Sequence, residues 1–160
     1  MNKYIVNSNL QSESCIIVGL KFNKNKIDLI YNNYTLNNIN GFKLDIYGLY
    51  INSINNCITN EYKFNTKFVS NGFDLTIINS FTLSNNYIPY QLNGNLLEIN
   101  YDKINFDNVT IENIIFIDEN NNEIISKYDS SILKNSLLNR DIISNPCELP
   151  TNSLSILLDG

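Results

Sequence analysis

The chain contains no histidine and no tryptophan, one methionine, three prolines and six glycines. It also lacks alanine altogether and carries a single arginine, Arg140. Each shortage removes something. Without histidine there is no Ser–His or Cys–His nucleophile and no imidazole-ligated metal. With one arginine, scattered lysines and a net charge of −5, no basic stripe can form, so nucleic acid is not an expected partner. Three cysteines, Cys15, Cys57 and Cys147, lie far apart with no C-x-x-C spacing. An odd, dispersed set argues against a disulfide framework and a zinc site, and reads as buried free thiols.

Other absences concern location and chemistry. Residues 1–14 hold no apolar core of signal-peptide length. No run approaches the roughly 20 apolar residues of a membrane span. The expected location is therefore a virion or the cytoplasm. No glycine-rich phosphate loop, dinucleotide fingerprint or G-x-S-x-G elbow occurs. Carboxylate pairs remain available for glycosidase-type chemistry, but nothing in the sequence selects one. The chain reads as a non-enzyme.

Against these gaps stand its abundances. Hydrophobic residues make up 43% of the 160, a globular composition. The length suits a single β-rich domain over residues 1–160. About one residue in five is Asn, and Ile is also far above ordinary usage. Losing Ala and gaining Ile and Tyr removes the best helix former and adds strand formers. Asn suits turns, where its side chain bonds nearby backbone and tolerates left-handed conformations.

The hydrophobic pattern alternates through most of the chain. Residues 15–22 read as a strand covered on both faces, and residues 27–31 as its hairpin partner. A short strand is expected at 34–36. Phe42, Leu44 and Ile46 share one parity and Leu49 and Ile51 the other. That phase change at Tyr47-Gly48 predicts a bulge or a bend between sheets. Residues 52–56 read as a loop. Residues 57–70 alternate through Tyr62, Phe64 and Phe68, and residues 73–83 through Phe73, Leu75 and Ile77. Asn93-Gly94 predicts a hairpin between 88–92 and 97–101. Pro89 places the first of these strands at a sheet edge. Residues 104–106 read as a short strand. In residues 109–118, Val109, Ile111, Ile115 and Ile117 are expected to point one way and Ile114 and Phe116 the other. Residues 123–126 would be the return strand. One helix is predicted at 132–140, capped by Asp129, Ser130 or Ser131. The whole predicts roughly nine or ten strands in an all-β, antiparallel β-sandwich or barrel-like fold, with one short helix near the C-terminus.

The candidate metal loop is residues 118–129, DENNNEIISKYD. Asp118, Asn120 and Asn122 alternate, Ile125 is apolar, Asp129 closes the run and a helix follows. This stretch resembles the calcium loop of EF-hands and, more closely, one half of a cellulosomal dockerin. The resemblance implies calcium held by Asp118, Asn120, Asn122 and Asp129, since alternating oxygens can wrap a hard cation. Position 6 of the loop is Glu123, where EF-hands carry Gly. The alternative reading of these residues is an Asn-rich turn joining two strands.

Two functional readings follow. The first is a non-enzymatic structural or interaction subunit of a larger assembly, homo- or hetero-oligomeric, with protein partners. Its composition and lack of motif associate it with phage and viral particle components. The second is a carbohydrate- or calcium-binding β-sandwich module, using exposed aromatic rings or the 118–129 loop.

Overall fold

The computed structural model describes residues 14–71 and 75–144. The chain opens with β1 (Ile16–Asn23) and β2 (Lys26–Asn33), a hairpin whose turn holds Lys24 at φ 59°. The alternating residues Ile16, Val18, Leu20 and Phe22 enter the main core. On the opposite side, Cys15 and Ile17 pack with Ile30 and Ile132. Both faces of β1 are thus covered, as its unbroken apolar run predicts.

β3 (Gly41–Tyr47) and β4 (Leu49–Asn56) are separated by one residue, Gly48, at φ +81°. They lie in different sheets. The parity change at Tyr47-Gly48 is therefore a bend between sheets. Gly48 also passes close to another segment, since a Cβ there would stand 2.8 Å from the Asn108 carbonyl oxygen.

A single helical turn, α1 (Ile58–Glu61), leads into β5 (Phe64–Asn71) and β6 (Leu75–Thr82). Then follow β7 (Gly94–Ile104), β8 (Thr110–Ile117), the two-residue β9 (Glu123–Ile124), β10 (Ser126–Tyr128) and α2 (Ser131–Ser144). One five-stranded sheet has the order β10-β1-β2-β7-β4 and the other β5-β6-β3-β8-β9. All pairings are antiparallel except β1 with β10. The inner faces meet in one core. Leu20, Ile27, Leu29 and Tyr31 come from the first sheet, and Phe42, Leu44, Ile46, Ile78 and Phe116 from the second. Phe42 and Phe116 stack with ring centroids 5.3 Å apart. Fully burying such side chains contributes about 1.5–3 kcal/mol each, which is why alternation sets which side of each strand faces in.

Six local expectations are corrected; the sixth is residues 104–106, which form no strand of their own, since Ile104 ends β7 and the Asn108 amide then bonds the Asn105 carbonyl in a turn. Residues 34–36 are not a strand. Asn33 Oδ1 instead accepts from the Thr35 amide at 2.9 Å and the Thr35 hydroxyl at 2.6 Å, a local side-chain turn that competes with extension. Residues 52–56 are not a loop but the second half of β4. Asn52 there is an extra residue that bonds to the extra residue of β7, Asp102, at 3.1 Å. The 57–61 segment is helical because the Leu96 carbonyl, left free by a bulge in β7, accepts from Cys57 N and Thr59 Oγ1. The expected hairpin at Asn93-Gly94 is absent. Asn93 Oδ1 accepts from the Asn33 amide, and β7 is flanked by β2 and β4, so residues 88–92 have no edge to join. Ile88 makes a single bridge, to Ile39.

The fifth correction concerns β8. Asn113 lies at φ 52°, and the β3–β8 register shifts there. The bulge adds one residue, so Ile111, Ile114 and Phe116 all pack inward. Ile115 and Ile117 turn to the outer face, and Ile115 is exposed.

Replacing Gly48 with Ala should destabilise the fold by about 1–3 kcal/mol, since it forces a Cβ into both a left-handed conformation and the Asn108 carbonyl. Urea unfolding of the two proteins measures this, with an unchanged midpoint as the contrary result.

Candidate protein-docking face

The two outer faces of the sandwich differ in chemistry. That of the β10-β1-β2-β7-β4 sheet is closed. Helix α2 lies on β1, with Ile132 seated over Gly19. Ser136 Oγ accepts the Phe22 amide at 2.9 Å and donates to the Leu133 carbonyl, fixing the helix to the strand. The rest of this face is polar. Lys26 Nζ is 3.2 Å from Glu98 Oε1, which also accepts from Asn55 at 3.3 Å. Asn23 donates to Asp28 Oδ2 at 3.2 Å, and Asn100 to Ser53 at 3.0 Å.

The opposite outer face is open and partly apolar. Its character comes from β6, which is inverted relative to an ordinary amphipathic strand. Thr76, Ile78, Ser80 and Thr82 point inward and are buried, while Leu75, Ile77, Asn79 and Phe81 point outward. The inward hydroxyls are satisfied within the sandwich. Thr66 Oγ1 and Ser80 Oγ lie 2.7 Å apart, and Thr76 donates to Ser70. On neighbouring β5 the outward residues are Asn65, Lys67 and Val69, with Val69 70% exposed. Beyond β6, β3 adds Lys43 and Asp45, and β8 adds Glu112 and Ile115.

The register arranges these side chains in rows across the sheet. One row is Val69–Ile77–Asp45–Glu112, and the next is Lys67–Asn79–Lys43–Ile115. Phe81, opposite Asn65, lies beyond the second row and is exposed. Asp45 lies within the first row and is buried by its neighbours, at 8% exposure. Its Oδ2 accepts from Asn113 at 2.8 Å, while its Oδ1 has no donor. Asp28 Oδ1 on the closed face also lacks a donor, and an acceptor left unsatisfied in this way carries a desolvation cost of about 1–3 kcal/mol that an incoming donor would relieve.

In the 118–129 loop the two aspartates at its ends bond to nearby backbone. Asp118 Oδ1 accepts the amides of Asn120 and Asn122, both at 2.9 Å, and Asn121 at φ 63° completes a tight turn. Asp118 follows β8 in one sheet. Asp129 follows β10 in the other, where its amide bonds Val18 O and its Oδ1 accepts the Ser131 amide and hydroxyl. Asp129 is thus the cap of α2. Among the described residues, no three His, Cys, Asp or Glu side chains gather closely enough to hold a metal ion. Among the described tyrosines only Tyr50 falls in the exposed class, so they form no exposed row. Cys15 is a buried free thiol and Cys57 a half-buried one, while Cys147 lies outside the described residues.

The outward apolar residues are not among those the sequence singles out. The available signal is the parity of β6, where Thr76, Ser80 and Thr82 share a side with Ile78 and the larger apolar residues share the other. Ordinary reasoning sends the larger residues inward.

This architecture has known counterparts. The sixth cohesin of Acetivibrio cellulolyticus scaffoldin B, solved in complex with a dockerin, superposes with a TM-score of 0.55 at 13% identity, over 71% of this chain and 94% of that one. A chain of a type I cohesin–dockerin complex from Clostridium thermocellum gives 0.54 at 12% identity, over 81% and 94%. The fold is that of the cohesin β-sandwich. No protein-family model and no curated protein matches the sequence. The expectation of a phage or viral particle component gains no support from these likenesses. Among the described residues, no helix is long and apolar enough to cross a membrane.

Two measurements test the chemistry of these surfaces. Asp129→Ala should cost about 1 kcal/mol through loss of the helix cap, equally with and without a calcium chelator. A loss that appears only when calcium is present would instead favour a cation shell at residues 118–129. On the closed face, burial raises the Asp28 carboxyl above its usual range, with hydrogen bonds from Asn23 and Asn95 opposing and the Glu98 charge adding to the rise. A raised folded-state value means the ionised form is disfavoured by folding, so the penalty is absent in acid and grows as pH rises through the ordinary carboxylate range to that value. Asp28→Asn should therefore stabilise the protein at neutral pH, with the gain vanishing as pH falls below the ordinary carboxylate range. Urea midpoints across that range read it, and a pH-independent difference is the contrary result.

Proposed function

We propose that this chain is a non-enzymatic protein-binding module that engages its partner through the outer face of the β5-β6-β3-β8 sheet. The observation that carries the proposal is the inversion of β6, which places Ile77 and Phe81 outward, with Val69 of β5 directly across from Ile77. Solvated sheet faces are ordinarily polar, and large apolar side chains grouped with polar ones on a rigid sheet fit the mixed make-up of a contact surface. Asp45 adds a fixed acceptor among these residues, so the face offers both apolar area and a directional hydrogen bond. The likeness in fold to cohesins crystallised with dockerins supports the same reading and nominates dockerins as the first partner class to try. A single domain of this kind would serve as a connecting subunit in an assembly.

The test is binding of the full chain to a panel of purified dockerins by calorimetry. At least one should bind at micromolar Kd or tighter. The double variant Val69→Glu with Phe81→Glu should weaken that binding by about 100-fold or more, and Asp45→Asn by roughly tenfold. Folding of each variant is checked by its urea midpoint. Binding that survives the double variant, or no binding anywhere in the panel, would count against the proposal.

A further inference from the structure

The docking face is not flat between β5 and β6. Outward side chains along β6 run Ile77, Asn79, Phe81, so a short polar residue sits between two large apolar ones. Successive outward positions on a strand are about 6.6 Å apart. The gap over Asn79 is therefore about one side chain wide. Opposite on β5, Val69 faces Ile77, Lys67 faces Asn79 and Asn65 faces Phe81. These six residues enclose a depression of about 270 Å³. That is just under the roughly 300–1,000 Å³ of sites that hold whole small molecules. Its apolar walls are Val69, Ile77 and Phe81.

Lys67 stands at the side of this depression and is exposed. Among the described residues no carboxylate pairs with it, and the Lys26–Glu98 ion pair lies on the opposite outer face. The same row carries a second lysine, Lys43, two strands away and about 9.6 Å across. Among the described residues, the acids on the outer side of this sheet, Asp45, Glu112 and Glu123, belong to neighbouring rows.

We propose that this cleft seats one apolar side chain of the partner, and that Lys67 selects a partner segment carrying a carboxylate beside that side chain. This deepens the docking reading and rests on it for the identity of the partner as a protein. The selection acts at contact distance. The net charge of −5 disfavours an acidic partner at long range. At about 4 Å a local ammonium outweighs distant charges, which salt screens beyond about 10 Å.

The cleft is testable without the partner. Three probes share one phenyl ring and differ in charge: 3-phenylpropionate, 3-phenylpropionamide and 3-phenylpropylamine. Each is titrated into the full chain while methyl and amide NMR signals are followed. The carboxylate should move the Val69 and Ile77 methyl signals with a low-millimolar Kd, the affinity a ligand of this size can reach. It should bind about two- to fivefold more tightly than the amide, the scale of an exposed ion pair, and the amine should bind most weakly. Lys67→Gln should bring carboxylate and amide to equal affinity. The proposal is overturned if no probe moves the Val69 and Ile77 signals, if the carboxylate binds no better than the amide, or if its advantage survives Lys67→Gln. A dockerin that binds through Val69 and Phe81 but is indifferent to Lys67→Gln would overturn the cleft proposal alone. Carboxylate selection with no partner on this face would leave the cleft standing and overturn the docking reading alone.

Discussion

Gly19 sits in the middle of β1 with no side chain on its outer side, and Ile132 of α2 fills the space. From this contact follows the division between the two sides of the molecule. Asp129 starts the helix where β10 ends, and Ser136 ties it to the Phe22 amide. The helix then covers the apolar residues Cys15, Ile17 and Ile30, which would otherwise lie bare on the outside of the first sheet. Remaining positions on that side are filled by a lattice of Asn, Ser, Lys, Asp and Glu side chains. One sheet is thereby finished as a surface, and no equivalent cover lies over the other among the described residues.

The open sheet has the geometry of a platform. Beneath its outward residues, Phe42 and Phe116 stack on each other, and Leu44, Ile46 and Ile78 are fully buried. Interiors of this kind are close-packed and yield little, so the outward residues above them are held in fixed rows. Fixed rows suit recognition, because side chains already in place lose little freedom on binding. The bulge at Asn113 contributes directly. It turns Ile115 outward and brings the Asn113 amide to Asp45, which sets both an apolar and a polar element of the face.

Parts of the architecture were legible because they rest on local rules. The hairpin of β1 and β2, the bend at Gly48, the cap at Asp129 and the single longer helix each follow from a short stretch of sequence. The errors share a cause as well. Residues 34–36, the 57–61 turn and the segment before Asn93 were decided by bonds to distant atoms or by Asn side chains competing with the backbone. In a chain where about one residue in five is Asn, such competition is available nearly everywhere, and its outcome depends on what lies alongside. The 118–129 loop shows how local such bonding can be. Asp118 and Asp129 are separated by few residues, yet they follow strands of different sheets and each bonds its own local backbone.

The class of fold follows from composition and pattern. Alternation at period two, abundant Ile and Tyr and the lack of Ala leave strands as the favoured element, and the absence of His removes whole families of chemistry. Which apolar residues remain outside was settled in three dimensions. On β6 the two parities differ little in local propensity. Their assignment depends on the pairing of β6 with β3 and β5 and on hydroxyls from Thr66 and Ser70 that satisfy the inward polar groups. Those partners meet β6 only across the sheet, so β6 read alone sends its larger apolar residues inward, the opposite of their place in the fold.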